Sequence, residues 1–258
     1  MLRGLYTAYT GMRNEQKRLD VISNNIANAA TTGYKTESVS NQSFDDALTL
    51  RIKDQTTPFK ADRIGSMNLG VKIGEVYTDY GQGSILETEN TFDLAIAGKG
   101  YFAIGVTNAN GQRSIKYTRD GSFTMTSDGY VVTSNGDNLL DVNANPVRVN
   151  PRATDISFDS LGYILADQVN MGRVALIDFE NYDYLSKYGD NLFEPVDGAT
   201  MIAATGTIKQ GYLEQSNVDA VSEMVDLITV TRAYEANQKV IQAMDTMADK
   251  AVNDVGRV

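Results

Sequence analysis

The chain has 258 residues, of which 42% are apolar and 22% charged, so it is long and apolar enough to bury a sizeable core in one or two domains. It contains no cysteine and no histidine, which excludes thiolate and imidazole nucleophiles and the usual zinc ligand sets. The formal charge of −10 argues against nucleic-acid binding, because phosphate contacts need clustered Lys and Arg. We expect no cofactor, no metal site and no nucleic-acid partner.

The chain also lacks the patterns of membrane insertion and of a cleaved secretory signal. No apolar run approaches the roughly 18 residues that a membrane-spanning helix needs. The first twenty residues, MLRGLYTAYTGMRNEQKRLD, contain neither an apolar block nor a small-residue cleavage site. We therefore expect no membrane insertion, and any export must use a route without a cleaved signal peptide.

An amino-terminal helix is predicted from Gly4 to about Ala30. Its apolar residues recur every seven positions, which is the spacing of a coiled-coil seam. This repeat consists of Leu5, Met12, Leu19 and Ile26, with Ala8, Ile22 and Ala29 at the intervening seam positions. Gly33 follows two β-branched threonines and suits a helix end, because glycine tolerates positive φ.

Residues 36–68 are mixed and polar and predict an extended linker, with one short helix suggested from Phe44 to Ile52. From Leu69 to about Ile208 the apolar period changes to two, which indicates half-buried strands. Asp-Gly and Asn-Gly pairs at 110–111, 120–121, 128–129 and 135–136 are typical of hairpin turns. The spacing favours antiparallel strands, and these include 147–149, 156–158, 163–165 and 174–179.

A long carboxy-terminal helix is predicted from about Asn217 to Val255, with a capping box at Ser216 and Asp219. A second seam runs along it through Leu227, Val230, Tyr234, Asn237, Ile241, Met244 and Ala248. A further apolar set lies beside that seam and consists of Val221, Met224, Val225, Ile228, Val240 and Met247. The helix thus has more apolar surface than one partner helix can cover.

The two terminal helices are predicted to pair, because each has a matching apolar seam, whereas exposed charge pairs contribute only about 0–1 kcal/mol. The expected fold is α+β, with paired, coiled-coil-like terminal helices that bracket a mostly antiparallel β domain. We divide the chain into an amino-terminal helix (1–35), a linker (36–68), a β-rich domain (69–208) and a carboxy-terminal helix (209–258).

Several segments resemble the bacterial flagellar rod and hook proteins, in the order in which those proteins carry them. These segments are NNIANA (24–29) with TGYK (32–35), FDLAIAGKGYFAI (92–104), YTRDGSF (117–123), DGYVVTSNG (128–136), GYLEQSNV (211–218) and RAYEANQKVIQAMD (232–245). The resemblance covers the chain from end to end. Within the family, the length and RAYEANQKV are most similar to members of the distal rod, and the proximal rod or another axial protein is the alternative.

The resemblance implies a structural subunit of the basal-body rod and not an enzyme. The terminal helices are expected to polymerise helically around an export channel, with copies of the chain, other rod and hook proteins and the flagellar export apparatus as partners. The expected location is the basal body, reached by flagellar export. We predict an assembly interface that contains the α-helical seam residues Leu5, Met12, Leu19, Ile22, Ile26, Leu227, Val230, Tyr234, Asn237, Ile241, Met244 and Ala248 together with Asn24, Asn25, Asn28 and Arg232.

Two other classes of function are weighed against this one. Carboxylate pairs such as Glu87/Glu89 and Asp178/Glu180 could serve a cell-wall glycan hydrolase, but a solvated strand edge explains them better in so acidic a chain. A monomeric adhesin or cap-like binding module would need terminal helices that are well ordered without partners. Gly98-Lys99-Gly100 lacks the spacing and the strand-loop-helix context of a phosphate-binding loop.

Overall fold

The computed structural model describes residues 2–51, 62–107 and 111–255. Helix α1 spans Leu2–Ala27 and helix α2 spans Ala220–Lys250, followed by a π-helical turn at Ala251–Val255. The strands between them are β1 Glu37–Ser43, β2 Ala47–Arg51, β3 Asp62–Met67, β4 Val71–Thr78, β5 Ile85–Glu87, β6 Leu94–Ala97, β7 Tyr101–Thr107, β8 Arg113–Thr118, β9 Phe123–Met125, β10 Val131–Thr133, β11 Asn138–Leu139, β12 Ile156–Phe158, β13 Tyr163–Ala166, β14 Val169–Arg173, β15 Leu176–Phe179, β16 Leu185–Tyr188, β17 Leu192–Pro195, β18 Met201–Ala203, β19 Thr207–Gln210 and β20 Tyr212–Glu214. A 3-10 turn lies at Tyr182–Tyr184.

The predicted α+β class is confirmed, since a helix at each end brackets strands that pair in antiparallel fashion throughout the described ranges. The chain divides into two compact units. One, here called the helical unit, comprises Met1–Ile26, Glu37–Asp79 and Ala220–Val258. The other, the β unit, comprises Ala27–Thr36 and Tyr80–Asp219.

The helical unit contains a two-stranded ribbon in the segment predicted as an extended linker. Strand β1 pairs with β4, and β2 pairs with β3. The short helix suggested from Phe44 to Ile52 is wrong, because Ala47–Arg51 is strand β2; Ile52 lies outside the described residues. So short a pattern of apolar residues fits either a helix or a strand, and the pairing of β2 with β3 decides for the strand.

Helices α1 and α2 approach each other through two glycines of α1. A β-carbon on Gly4 would lie 2.5 Å from Met244 Cε, and one on Gly11 would lie 3.1 Å from Asn237 Nδ2. Seven residues forward along α1 therefore correspond to seven residues back along α2, so the helices run antiparallel here. Asn25 extends the same register by hydrogen bonding to the carboxylate of Glu223.

Helix α2 begins at Ala220, three residues later than predicted. The predicted capping box is wrong, because the Ser216 hydroxyl accepts from the amide of Val218, two residues on. This short turn ends the preceding loop rather than starting the helix.

The core of the β unit lies on both faces of one sheet, whose strands follow the order β16-β17-β8-β7-β11-β10-β9, with β15 also paired to β7. Alternate residues of β7 divide between two apolar clusters. Phe102 and Ile104 pack in the larger one with Leu94 and Phe123, whereas Tyr101 and Ala103 pack in the other. Both faces are covered, which explains why Tyr101 to Ile104 are all buried.

Two of the predicted hairpin turns are present and one is wrong. Gly129 and Gly136 have positive φ in the turns between β9 and β10 and between β10 and β11. Asp120-Gly121 makes no hairpin, because β8 pairs with β7 and β17 while β9 pairs with β10. Asn110 of the remaining pair lies outside the described residues. The predicted strand at 147–149 has only an isolated bridge, at Arg148.

Candidate functional site

Helix α1 approaches α2 along residues that lie next to its predicted seam. The contact line runs through Gly4, Gly11 and Asn25, one position before each seam residue. The seam itself stays accessible to solvent: Leu5 is 38% exposed, and the other three of its residues are half-buried. We call this line, Leu5, Met12, Leu19 and Ile26, the α1 ridge. Ile22, at an intervening position, is buried.

The predicted seam of α2 faces inward more clearly. Val230 is only 1% exposed, and Leu227, Tyr234, Asn237, Ile241 and Met244 are half-buried. Arg232 and Ala248 are exposed. Helix α2 also carries Val221, Met224, Val225 and Ile228, between 52% and 72% exposed, which we call the α2 stripe. At about 3.6 residues per turn, this stripe lies on the opposite side of α2 from Val230 and Asn237.

The three amides of the amino-terminal motif have different surroundings. Asn25 is buried, donates to the carbonyl of Glu37 at 2.8 Å and accepts from its amide at 3.1 Å. Asn28 accepts from the Thr31 hydroxyl at 3.0 Å, and Asn24 is exposed. Asn25 therefore joins α1 to strand β1 and to Glu223 within one chain.

The carboxyl group of Glu223 has a raised pKa because of this packing. Burial raises its pKa above the ordinary value and the hydrogen bond from Asn25 opposes that rise, while the charge of Asp226 adds to it. The neutral form of Glu223 is therefore favoured more in the folded chain than in solution.

A buried ionic cluster lies within the β unit, and we call Lys35, Arg119 and Glu214 the buried junction. Lys35 Nζ lies 2.5 Å from Glu214 Oε1, and Arg119 Nη1 lies 3.1 Å from Glu214 Oε2. The three side chains are at most 4% exposed. Removing one partner of such a buried pair typically costs about 3–5 kcal/mol, since the other charge is left without compensation.

The backbone completes the junction. Lys35 also donates to the carbonyl of Gly81 at 2.7 Å, and the amide of Gly83 donates to Glu214 at 3.0 Å. Arg119 donates to the carbonyl of Gly98 at 2.8 Å. Its guanidinium also lies over the Tyr101 ring, 5.2 Å from the centroid, whereas its buried Nε has no hydrogen-bond partner.

The junction holds the two segments that connect the β unit to the helices, residues 31–36 (the first link) and 214–217 (the second link). The amide of Gly33 donates to the carbonyl of Glu214 at 2.9 Å. Asn217 Oδ1 accepts from both the amide and the hydroxyl of Thr36, each at 2.8 Å. The two links are therefore bonded directly to each other.

The first link is also fixed against the loop after β8. The Thr32 hydroxyl donates to Asp120 at 2.6 Å, and Asn191 donates to the other carboxylate oxygen at 2.8 Å. Gly33 has φ of +68°, and a β-carbon there would lie 2.4 Å from the Asp120 amide nitrogen. No other residue fits at this position without moving the backbone.

The acidic residues considered for hydrolysis do not form a catalytic pair. Asp178 is buried and accepts hydrogen bonds from its neighbour Phe179 and from the Tyr182 hydroxyl at 2.9 Å, while Glu180, Glu87 and Glu89 are exposed. Burial, aided by Asp178, raises the pKa of Tyr182 to about 12. Two pockets are lined by described residues, the larger of about 260 Å³ between α1 and the ribbon, and neither lining includes a carboxylate.

Sequence reasoning did not single out the junction, although its residues lie in the quoted motifs. Lys35 ends TGYK, Arg119 lies in YTRDGSF, and Glu214 lies in GYLEQSNV. The available signal was a charged residue in each of three otherwise strand-like segments. No helix within the described ranges is long and apolar enough to cross a membrane. Among the same residues, no group of three or more acidic side chains could hold a metal ion.

The described residues combine partly exposed apolar side chains on the terminal helices with a buried ionic cluster at the two links. Comparison with known proteins identifies the family. Residues 5–35 match the family described as flagella basal body rod protein, residues 95–166 the flagellar hook protein FlgE/F/G D1 domain, and residues 209–254 the flagellar basal body rod FlgEFG protein C-terminal domain.

Whole-chain relatives give the same result. The chain is 37% identical to the flagellar basal-body rod protein FlgG of Agrobacterium fabrum, over 96% of this chain and 97% of the relative. It is 34% identical to FlgG of Bacillus subtilis, over 98% and 99%, and 31% identical to FlgF of Caulobacter vibrioides, over the full length of both. The chain belongs to the flagellar basal-body rod protein family. It is a structural subunit of the basal body and not an enzyme.

Proposed function

We propose that this subunit polymerises helically in the distal rod, where its terminal helices form the inner wall of the drive shaft around the export channel. The single observation that carries the proposal is that each helix keeps apolar side chains that its own chain leaves exposed or only half-buried. On α1 this is the ridge from Leu5 to Ile26, and on α2 it is the stripe from Val221 to Ile228.

In the proposed assembly, the α1 ridge of one copy packs against the α2 stripe of the next. The four stripe residues are each more than half exposed, so covering them would contribute about 1 kcal/mol each, or about 4 kcal/mol per contact. Because ridge and stripe are different surfaces, a contact between two copies leaves one of each unfilled. Such a heterologous contact propagates into a helical polymer instead of closing as a dimer.

Coiled-coil pairing of α1 with α2 is part of the proposal. The antiparallel contacts at Gly4, Gly11 and Asn25 support it, since they are spaced by seven and by twice seven residues. The α2 seam around Val230 and Ile241 then covers the chain's own α1. Asn24, Asn28 and Arg232 lie at the edges of this pair and are proposed to contact neighbouring copies.

The proposed partners are further copies of this chain, other rod and hook proteins, and the flagellar export apparatus, which carries the chain outward without a cleaved signal peptide. The division into 1–35, 36–68, 69–208 and 209–258 remains our proposal for the organisation of the subunit. The distal position is supported by greater identity to the two FlgG relatives than to FlgF. A proximal position is the second candidate, because FlgF and the hook-basal body complex protein FlhO match the whole chain as well.

Deletion of the gene followed by imaging of isolated basal bodies tests the proposal. We expect basal bodies that keep a short rod stump and lack a hook, with restoration by the wild-type gene. Loss of the whole rod would move the subunit to the proximal position. Normal hooks and normal swimming would contradict a role in the rod.

A further inference from the structure

The buried junction joins segments that are far apart in sequence. Two of these segments are the links, where the chain passes between the helices and the β unit. Lys35 is in the first link, Glu214 is in the second, and Arg119 follows strand β8 of the main sheet. We infer that this junction is a mechanical coupling element, which carries force applied to the helices into the β unit through both links at once. This inference rests on the proposed function.

The carboxylate of Glu214 is shared between two buried cations. One of its oxygens is bonded to Lys35 and the other to Arg119, so a displacement of the first link breaks its contact to the second link, and a displacement of the second link breaks its contact to Arg119. All three side chains are excluded from solvent, so water cannot replace the contacts while the junction is strained. A solvent-exposed ion pair would exchange freely with water and would carry little force.

The two links are bonded to each other, and a buried ring anchors the first link. Asn217 accepts two hydrogen bonds from Thr36, and Gly33 donates to the carbonyl of Glu214. Tyr34 is fully buried, with Lys187 Nζ 4.0 Å from its ring centroid. A pull on either link is therefore shared by both.

Another ion pair of the β unit lies away from both links. Lys116, only 5% exposed, pairs with Glu194 at 2.5 Å, but this pair joins strands β8 and β17 of the main sheet and contacts neither link. Glu194 is also 48% exposed. Among the described residues, the β unit therefore contains the two ion pairs of the junction, at the links, and a separate pair away from the links, which supplies a control.

The experiment is single-molecule force spectroscopy on the full chain. Because the sequence has no cysteine, two introduced cysteines define the pulling direction. Ala30 and Ser134, both exposed, load the first link against the sheet when changed to cysteine. Ser134 and Glu180, also both exposed, load the sheet without either link.

The variants are Glu214→Gln and Asn217→Ala, with Glu194→Gln and Asn181→Ala as matched controls. Through the link, we expect the lifetime at constant force to shorten about a hundredfold for Glu214→Gln, which leaves two buried cations without their carboxylate. We expect about a three- to tenfold shortening for Asn217→Ala, which removes hydrogen bonds to Thr36 and to the carbonyl of Gly81 and no charge. Both controls should keep the wild-type lifetime in this direction.

The second pulling direction separates coupling from general stability. Asn217→Ala should leave the Ser134–Glu180 lifetime unchanged, whereas a merely structural role would shorten the lifetime in both directions. The inference is overturned if Asn217→Ala has the wild-type lifetime through the link, or if Asn181→Ala shortens that lifetime as much. Asn217→Ala decides the question even if Glu214→Gln fails to fold. The measurement uses single chains, so its failure is distinguishable from failure of the proposed rod function, which the deletion strain tests.

Discussion

Ile228→Asp is the sharpest perturbation of the proposed contact between copies. Ile228 is 52% exposed in the single chain, so the change should leave the fold of the subunit intact. In the assembly it removes about 1 kcal/mol of apolar burial and places an unpaired carboxylate in an apolar contact, which costs several kcal/mol more. Since about 1.4 kcal/mol corresponds to a factor of ten, assembly should weaken by about a hundredfold or more.

The assay is complementation of the deletion strain, with hooks counted on isolated basal bodies and swimming measured on the same cells. Thr229→Asp is the control, because it adds the same charge one position along α2, at an exposed residue outside the stripe. Ile228→Asp should give few hooks and Thr229→Asp near-normal numbers. Hook numbers at the wild-type level for Ile228→Asp, with normal amounts of exported subunit, would refute the role of the stripe.

Three further predictions concern the pairing of the helices. Ile241→Asp should stop rod assembly, because it places a charge on the seam proposed to face α1, and it should leave the melting of the β unit unchanged. Normal motility of this variant would contradict the assignment of Ile241 to the seam. Gly11→Leu should separate the two helices near Asn237, and we expect faster hydrogen exchange in α1 as a result. An unchanged exchange rate would contradict the close approach at Gly11. Glu223→Gln should stabilise the helical unit at neutral pH and reduce its gain in stability as pH falls. The raised pKa of Glu223 means that the folded state binds a proton more tightly than the unfolded state, so the strain of the ionised form is relieved as pH falls through that pKa. Thermal melting of variant and wild type at neutral pH and at a pH below that pKa measures the difference. An equal change of melting temperature with pH in the two proteins would contradict the prediction.

The long elements were predictable from local pattern. The seven-residue repeat of α1 and the extended apolar repeat of α2 are sustained over many turns. Strands form where they were predicted at 156–158 and 163–165, and the second of them alternates in accessibility. The order of the family motifs was sufficient to predict the class of protein. Each of these signals can be recognised within a short window of the chain, without knowledge of contacts between distant residues.

The errors occurred where distant partners decide the structure. Strand β2 was predicted as a helix because its pairing with β3 is not visible in a nine-residue window. Asp120-Gly121 has the composition of a hairpin turn, but Asp120 binds Thr32 and Asn191 instead, and Gly121 leaves room for the carbonyl of Leu94. The buried junction was missed for the same reason, since Lys35 and Glu214 are 179 residues apart.

The α1 seam shows a subtler limit. The repeat of Leu5, Met12, Leu19 and Ile26 predicts an apolar line correctly, but a pattern does not say which partner covers it. The chain's own α2 instead approaches Gly4 and Gly11, because glycine permits the closest contact between helices. We therefore propose that this apolar line of α1 packs against another copy of the chain.

Disulfide cross-linking in assembled rods tests the central claim most directly, because the chain has no cysteine of its own. Met12→Cys on the α1 ridge would be combined in one chain with Val221→Cys, Val225→Cys or Ile228→Cys on the α2 stripe, and each single variant would serve as its control. We predict that at least one pair gives a ladder of covalent oligomers on oxidation of isolated basal bodies, because each copy would be linked to the next. Only monomers for every pair, or dimers that never extend, would contradict a propagating contact between ridge and stripe.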